Sequence, residues 1–298
     1  MSFLSDTTLA HLREVAVWPP LPAKYTPLGV AGRGGSATVY EARDHDLDRM
    51  VAVKVLDIPD QAGRAAARLA REAAVLARLD HPGIVPIHER GILPDGRAFY
   101  VMKFVRGRTI DEAAAAKPAL LDRLALLDRV LETVAFAHAH GIVHRDLKPS
   151  NVLVGGFGEV FVMDWGAAQS DHVPEAEAVI AGTPGFMAPE QAAGAVVDGR
   201  ADVYALGTIL LTMIGSDPPR ALTAIAARAR AAHPDARYPD VPALAADLHR
   251  FRDGLAPTAH RESIGERVLR LYRRHELPVL LVVAYILMRA ALLLWKGI

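Results

Sequence analysis

The sequence contains no cysteine. This absence excludes disulfide bridges, a thiolate nucleophile and cysteine-ligated zinc or iron–sulfur centres, and it fits a reducing compartment. The sequence also lacks an excess of charge of either sign, because 34 lysines and arginines balance 34 aspartates and glutamates. Without a net field, the composition favours neither nucleic acid nor an acidic partner. We therefore expect no nucleic-acid binding.

Metal-binding histidine patterns are missing as well. The chain has twelve histidines but no HExxH motif. His138 and His140 lie two positions apart at the end of a predicted helix, so their side chains would point in different directions. We interpret the histidines as core or surface residues. The first 15 residues include Asp6 and have no long apolar core, which is not typical of a secretion signal.

Long apolar runs are also rare, and the exception is LPVLLVVAYILMRAALLLW, residues 277–295. As a helix it would extend roughly 28 Å, close to the thickness of a bilayer core. Its eleven Leu, Val and Ile residues favour insertion by about 0.3 to 0.6 kcal/mol each, against about 3 kcal/mol for Arg289. The run predicts a transmembrane helix. The alternative is a terminal helix buried against the protein or against a second copy, and a homodimer stays open as a partner.

The charges around this run predict its orientation. Residues 255–276 form a basic segment before it, whereas only Lys296 follows it. The positive-inside rule therefore predicts a single span in an inner or plasma membrane, with the body of the chain in the cytoplasm. The basic residues can also contact anionic lipid headgroups. They are Arg261, Arg267, Arg270, Arg273 and Arg274.

The first half of the remaining chain predicts a small sheet with one helix. Residues 1–24 form an extension, with a helical candidate near 6–16 and a proline-rich linker, and the main domain begins near Tyr25. Residues 25–56 alternate β-forming residues with glycine turns, and VAVKVL at 51–56 is a strand. The alanine-rich stretch 61–80 predicts a helix. IVPIHERG and RAFYVMKFV predict two strands around a PDG turn.

Helices dominate from residue 118 onward. Apolar residues recur at three and four positions from Leu120 to Val134, and Gly141 follows as the predicted C′ residue. NVLV, GGFG and EVFVMD predict a hairpin. ADVYALGTILLTMI and VPALAADLHRFRDG predict two further helices.

A glycine-rich stretch, GVAGRGGSATVY at 29–40, lies between two predicted strands. Gly32, Gly34 and Gly35 lack Cβ atoms, so backbone amides there can approach phosphate oxygens. A plain turn is an equally good interpretation of this feature alone. Lys54 lies in a buried strand pattern, where an ammonium needs a partner, and Glu72 is the nearest candidate in the sequence.

A cluster of charged and polar residues, HGIVHRDLKPSNVLV, occupies residues 140–154. Asp146 can accept a hydroxyl proton, and Lys148 can screen a transferring phosphoryl group. Asn151 and Asp164 offer hard oxygen ligands suited to Mg²⁺. A merely solvated turn would not need these residue types in this order, so the cluster indicates phosphoryl transfer.

Six motifs together resemble a known family. VAVK (51–54), HRDLKPSN (144–151), DWG (164–166), APE (188–190), DVYALG (202–207) and the arginine of PDARY follow in order across residues 25 to 253. They resemble the signature set of eukaryotic-like, Hanks-type bacterial serine/threonine protein kinases. DWG stands where that family usually has DFG.

The resemblance implies an α+β, two-lobed fold, with a β-rich lobe over residues 25–103, a helical lobe over 104–254 and ATP in the cleft between them. It implies that Lys54, tied to Glu72, holds the α- and β-phosphates, that Asp146 deprotonates the substrate hydroxyl, and that Lys148 contacts the γ-phosphate. The resemblance also implies that Asn151 and Asp164 hold Mg²⁺, with Mn²⁺ as an alternative ion. The other implied ATP contacts are Ala31, Gly32, Gly34, Gly35, Val39, Ala52 and Met102.

The resemblance also implies structural roles. Glu190 would pair with Arg237, and Asp202 would fix the catalytic loop. Arg145 would receive a charge from the activation segment, and Thr183 would lie in the substrate-contact loop. Between DWG and APE the only hydroxyl residues are Ser170 and Thr183, so we expect Glu175 or Glu177 to supply standing negative charge to Arg145. An acidic solvated loop is the alternative.

The sequence departs from the family pattern at Ala37, where a third glycine is usual, and we expect a small effect. Three functions are open. The first is an active protein serine/threonine kinase on a membrane anchor with protein substrates, ATP and Mg²⁺. The second is a pseudokinase that binds ATP as a scaffold. The third is a small-molecule kinase of related fold. The complete set of charged residues favours the first.

Overall fold

The computed structural model describes residues 18–59, 63–170, 182–267 and 284–291. Its first part is an antiparallel sheet of five strands in the order β1-β2-β3-β5-β4, with one helix packed against it. The elements are β1 (Tyr25–Arg33), β2 (Ala37–Asp44), β3 (Arg49–Leu56), α1 (Arg64–Arg78), β4 (Ile87–Ile92) and β5 (Ala98–Lys103). The predicted strands and the predicted helix are confirmed. The helix begins after Gly63, which has a φ of 74°, and ends before Leu79, which is extended.

The alternation of apolar residues along β3 explains how this sheet is covered. Val51, Val53 and Val55 belong to a small apolar cluster on one face. Ala52 and Leu56 point to the other face and join the main core, which α1 also enters. Because successive side chains of a strand alternate between faces, a strand with Lys54 as its central charge can still be buried on both sides.

The second part is mostly helical. Its helices and short strands are β6 (Gly107–Thr109), α2 (Ile110–Ala115), α3 (Leu120–Ala139), β7 (Ile142–Val143), β8 (Val152–Gly155), β9 (Val160–Val162), β10 (Gln169–Ser170), α4 (Pro189–Ala192), α5 (Arg200–Met213), α6 (Arg220–Ala229) and α7 (Val241–Arg252). The predicted hairpin is β8 and β9, which pair antiparallel. The three predicted helices are α3, α5 and α7.

Helix α3 crosses the centre of this part. Leu124, Leu127, Leu131 and Val134 are buried along one side of it. The helix ends at His140, and Gly141 follows with a φ of 69°, so the predicted C′ glycine is present. Apolar spacing of three and four therefore located both the helix and its end.

One continuous core joins the two parts. Residues of the sheet such as Ala52 and Tyr100 belong to the same apolar cluster as Leu127 of α3 and Leu206 of α5. The predicted arrangement of a β-rich lobe followed by a helical lobe is confirmed. Lys54 of the first lobe and Asp164 of the second meet at the junction, where their side chains are 3.0 Å apart.

Two predicted segments fall largely outside the described residues. The helical candidate at 6–16 lies wholly outside them. Of the apolar run 277–295, only residues 284–291 are described, as a helix whose residues are all exposed. In the described ranges, no helix combines the length and the apolar character that crossing a membrane requires. The transmembrane helix therefore stays a prediction.

Candidate active site

The ammonium of Lys54 lies between two carboxylates. Its Nζ donates to Glu72 Oε1 at 2.7 Å and Oε2 at 2.9 Å, and to Asp164 Oδ1 at 3.0 Å. The pairing of Lys54 with Glu72 that the sequence predicted is present. Burial disfavours the charged form, but the attraction of Glu72 and then of Asp164 outweighs it and raises the pKa of Lys54. A fixed cation is therefore available where the lobes meet.

Sequence reasoning missed a third partner of this pair. Tyr100, on the strand β5 next to β3, is buried and donates its hydroxyl to Glu72 Oε1 at 2.9 Å. Burial, followed by the charge of Glu72, raises the pKa of Tyr100 well above its usual value, so the phenol stays a donor. The strand register pairs Lys54 with Tyr100, and no pattern in the sequence gives that register.

The residues predicted to contact ATP share one face of the sheet. Val39 is paired with Lys54, and Ala52 is paired with Met102. Cross-strand partners and residues two apart on a strand point to the same side. Val39, Ala52, Lys54 and Met102 therefore lie together on the face that α1 covers.

The glycine-rich turn lies at the edge of this face. Ala31, Gly32, Gly34 and Gly35 are exposed, and a Cβ at Gly32 or Gly35 would meet nothing within 4 Å. The packing of the protein itself does not require these two glycines, which leaves the approach of a ligand as a reason for them. Ala37, at the third glycine position, turns its methyl group into the core, consistent with the small effect expected.

Asp202 organises the loop that carries the predicted catalytic residues. It is buried, and its carboxylate accepts the amides of His144 at 2.8 Å and Arg145 at 2.9 Å. Arg145 has a φ of 69°, which is costly for a residue with a side chain and persists because such bonds hold it. Asp202 thus fixes the loop geometry, which is the role that the resemblance implied for it.

His138 is a second residue of this support that sequence reasoning missed. Its Nε2 lies 2.8 Å from Asp202 Oδ2. Burial alone would raise the pKa of Asp202, but the hydrogen bond with His138 and the electrostatic effect of His138 and His144 lower it. The interpretation of His138 as an ordinary core or surface residue was therefore incomplete.

Asp146, Lys148 and Thr183 form a closed triangle of hydrogen bonds. Lys148 Nζ donates to Asp146 Oδ2 at 2.9 Å and to Thr183 Oγ1 at 2.7 Å. Thr183 Oγ1 in turn donates to Asp146 Oδ1 at 2.8 Å. The sequence predicted each residue but not this triangle, because Thr183 is 37 positions from Asp146. The carboxylate of Asp146 thus accepts a hydrogen bond from a hydroxyl group and lies beside the ammonium of Lys148.

Asn151 and Asp164 provide oxygen atoms that fit a hard divalent cation. Asn151 Nδ2 donates to the carbonyl oxygen of Asp146 at 2.8 Å, which leaves the amide oxygen for coordination. The side chain of Asp164 is 49 % exposed, with one oxygen on Lys54. Burial opposes ionisation, but Lys54 lowers the pKa of Asp164. Carboxylate and amide oxygens suit Mg²⁺, which usually completes its shell with water and phosphate, so these residues fit the predicted metal.

The tryptophan of the DWG motif is buried beside this site. Trp165 donates its indole N–H to the carbonyl of Val162 at 3.1 Å and packs on His144 with ring centroids 4.6 Å apart. A large ring therefore packs in the core at the position where the family usually has phenylalanine. Asp164 itself has a φ of 58°. Asp164 and Arg145 therefore both have left-handed backbone conformations.

Glu190 and Arg237 form a buried ion pair away from the lobe junction. Arg237 donates to the two carboxylate oxygens at 2.7 and 2.6 Å. It also donates to the carbonyls of Ala231, Arg200 and Ala232. Burial opposes ionisation of Glu190, but Arg237 lowers its pKa. The predicted pair is present and holds the segment after Thr183 against the helical lobe.

The negative charge expected to pair with Arg145 comes from a segment outside the described residues. Glu175 and Glu177 lie outside the described residues, and of Ser170 only the backbone is described, in β10. Their part in regulation stays a prediction. The roles implied for the ATP, metal and catalytic residues likewise stay predictions, although the structure brings those side chains together.

Comparison with known proteins identifies the family of the chain. Residues 25–239 match the family model of the protein kinase domain. The chain is 42 % identical over 212 residues to the DNA damage-responsive serine/threonine-protein kinase RqkA of Deinococcus radiodurans, covering 67 % of this chain and 31 % of that protein. It is 34 % identical over 271 residues to the serine/threonine-protein kinase PknB of Mycolicibacterium smegmatis, covering 77 % and 43 %.

A solved structure is similar as well. The crystal structure of the Mycobacterium tuberculosis PknI kinase domain matches with a TM-score of 0.60 and 29 % identity, covering 78 % of this chain and 98 % of that one. The chain spans only about a third of the length of RqkA, 31 %, and under half of that of PknB, 43 %.

Proposed function

The chain belongs to the protein kinase domain family, and on that basis we propose that it transfers the γ-phosphoryl group of ATP to serine and threonine hydroxyls of protein substrates. One observation supports this most. One carboxylate oxygen of Asp146 accepts a hydrogen bond from the Thr183 hydroxyl at 2.8 Å, and the other accepts one from Lys148 at 2.9 Å. This is the geometry that a general base needs, since it must lie within hydrogen-bond reach of the proton that it takes.

The reaction proceeds at this carboxylate. The substrate oxygen forms a bond to the γ-phosphorus, the bond from that phosphorus to the bridging oxygen breaks, and ADP leaves. The hydroxyl proton passes to Asp146. Lys148, whose ammonium already lies beside Asp146, faces the charge that builds on the transferring group.

Lys54 binds the other end of the nucleotide. Its ammonium is positioned by Glu72 and Asp164 and stays charged, so it attracts the α- and β-phosphate oxygens. Asn151 and Asp164 would hold Mg²⁺, which when bound neutralises phosphate charge. The exposed glycine-rich turn covers the phosphates, and the apolar face with Ala52 and Met102 receives the adenine.

The first test is a transfer assay with the full chain. Purified protein is incubated with γ-labelled ATP, Mg²⁺ and a generic acceptor protein, and the labelled acceptor is hydrolysed to identify the modified amino acid. We expect phosphoserine and phosphothreonine. Label found on small-molecule alcohols and not on protein would favour the related small-molecule kinases instead, and ATP binding without transfer would favour a scaffold.

The chain is proposed to act at a membrane. Support comes from the apolar run 277–295 and from the described part of it, where Tyr285, Ile286, Leu287 and Met288 are all more than half exposed, at 56, 58, 64 and 53 %. A helix that is apolar on all sides is not stable towards water and needs lipid or a protein partner. The basic residues before it would keep the kinase domain in the cytoplasm.

Membrane attachment is tested by fractionation of cells that express the full chain. We expect the protein in membranes after an alkaline carbonate wash. In the double variant I286D/L287D, each aspartate raises the free energy of insertion by about 2.5 to 3.5 kcal/mol at the centre of a span. This variant should appear in the soluble fraction. L121D, at a surface position of α3 that is 54 % exposed, is the control and should stay in membranes. Wild-type protein that washes off would contradict the anchor.

A further inference from the structure

Helix α1 carries two side chains that reach the site from the same side. Arg68 and Glu72 are four positions apart, so they lie one above the other on the helix. Glu72 holds Lys54. Arg68 donates its Nε to the carbonyl oxygen of Gly166, the last residue of the DWG motif, at 2.9 Å. The helix therefore contacts both the cation of β3 and the segment that carries Asp164.

The apolar packing of α1 on the sheet is incomplete on one side. A cavity of about 210 Å³ opens between α1 and strands β4 and β5, and on the helix side it is lined by Leu69 and by the alanines at 66, 70 and 73. Side chains next to a void lose their dispersion contacts. The helix also begins at Gly63 with no side-chain cap and no acidic residue in its first turn. Leu69, Ala73 and Leu76 anchor the helix in the main core, and polar contacts add to its placement.

These polar contacts form a closed circuit. Asp164, two residues before Gly166, accepts from Lys54, and Lys54 donates to Glu72 on α1. Arg68 closes the circuit from α1 back to Gly166. The segment lies against the carboxylate, because a Cβ on Gly166 would be 3.2 Å from Glu72 Oε2. A shift of α1 would break the contact of Glu72 and leave Asp164 as the partner of Lys54.

We propose that Arg68 is a positioning residue that ties α1 to the DWG segment, and thereby keeps Asp164 available for the metal. This proposal rests on the function proposed above, because it assigns Asp164 to Mg²⁺. Without the bond from Arg68, α1 moves more freely, Glu72 leaves Lys54 part of the time, and Lys54 then draws Asp164 away from Mg²⁺. The loss of this bond therefore weakens binding of the metal–nucleotide complex and leaves the packing of the core unchanged.

The test uses the full chain and three variants. R68A removes the bond. R71A is the matched control, because it removes the same charge from the same helix at an exposed position with no hydrogen bond or ion pair to the described residues. R68K keeps the charge and can still donate. The readouts are the dissociation constant of a fluorescent ATP analogue with and without Mg²⁺, the kcat and KM for ATP, and the midpoint of thermal unfolding.

We expect R68A to bind the analogue about five- to tenfold more weakly in Mg²⁺, the equivalent of one hydrogen bond, and to change less than about twofold without it. R68K should recover part of the loss, and R71A should match the wild type. R68A equal to R71A, or an equal loss with and without Mg²⁺, would overturn the proposal. If R68A unfolds early, its binding is compared with that of R71A at a temperature below its unfolding midpoint, where a loss confined to Mg²⁺ supports the proposal and no loss contradicts it.

These measurements separate this proposal from the proposed function. Binding of the analogue does not need phosphoryl transfer. A wild-type protein that binds but does not transfer would contradict the proposed function and leave the role of Arg68 intact. A wild type that transfers, with an R68A variant that binds normally, would contradict the role of Arg68 alone.

Discussion

The hydroxyl of Thr183 donates to Asp146 at 2.8 Å and accepts from Lys148 at 2.7 Å, so one side chain orients the carboxylate and the ammonium together. In the proposed reaction, the same pair of groups acts on the substrate hydroxyl and on the transferring phosphoryl group. Thr183 therefore holds the two in a geometry suited to transfer before a substrate arrives.

Removal of the Thr183 hydroxyl tests this relationship. T183V keeps the shape and loses both hydrogen bonds, so we expect kcat to fall about ten- to a hundredfold, in line with misplacement of catalytic groups, with little change in KM for ATP. T183S should keep most of the activity. Steady-state kinetics with a protein acceptor measures both. T223V, at an exposed position of α6, is the control, and equal activity of T183V and T223V would refute the relationship.

Tyr100 offers a prediction about stability. Y100F removes a buried hydroxyl and leaves Glu72 with Lys54, so we expect the free energy of unfolding to fall by about 1 kcal/mol. Urea denaturation followed by circular dichroism gives this value. The affinity for ATP should change by less than about threefold, since Lys54 keeps both carboxylates. A variant as stable as the wild type would mean that the hydrogen bond of 2.9 Å adds nothing.

Asp202 makes the stability depend on pH in a defined direction. Its pKa is lowered in the folded state, so the ionised carboxylate adds stability above the unfolded pKa of about 3.9, and this is lost as the pH falls through the folded value. The difference in unfolding free energy between the wild type and D202N should be constant from pH 6 to 8 and should shrink below about pH 4. A difference that grows on acidification would contradict the assigned direction.

Arg237 should be hard to replace. R237A leaves Glu190 partly buried without its partner, and breaking a buried pair costs about 3 to 5 kcal/mol. R237K should recover little, because lysine cannot donate to both oxygens of Glu190 and to three carbonyls at once. The control is R129A, which removes an exposed pair with Glu132 on α3. Urea denaturation measures all three, and a loss for R237A no larger than that for R129A would contradict the assignment.

Local sequence patterns predicted much of the fold. The strand with Lys54, the helix with Glu72, the hairpin after Asn151 and the end of α3 at Gly141 all follow from periodicity and turn residues over short distances. The pairing of Lys54 with Glu72 could be predicted too, because a buried ammonium needs a carboxylate and Glu72 is 18 positions away.

Contacts that depend on tertiary structure could not be predicted. The hydrogen bond from Tyr100 to Glu72 requires the register of β3 with β5. His138 reaches Asp202 across 64 positions, and Arg68 reaches Gly166 across 98. The left-handed backbone of Arg145 breaks the usual preference of its residue type and persists because Asp202 holds the loop. Tyr100, His138 and Arg68 support the site without belonging to any of the six motifs.

The central claim is that Asp146 takes the proton of a substrate hydroxyl. Its most direct test compares the wild type with D146N in a single-turnover assay, with γ-labelled ATP, Mg²⁺ and an acceptor protein, while nucleotide affinity is measured in parallel. We expect D146N to bind Mg²⁺–ATP within about threefold of the wild type and to transfer phosphate about a hundredfold to ten-thousandfold more slowly. Transfer by D146N at the rate of the wild type would contradict the account.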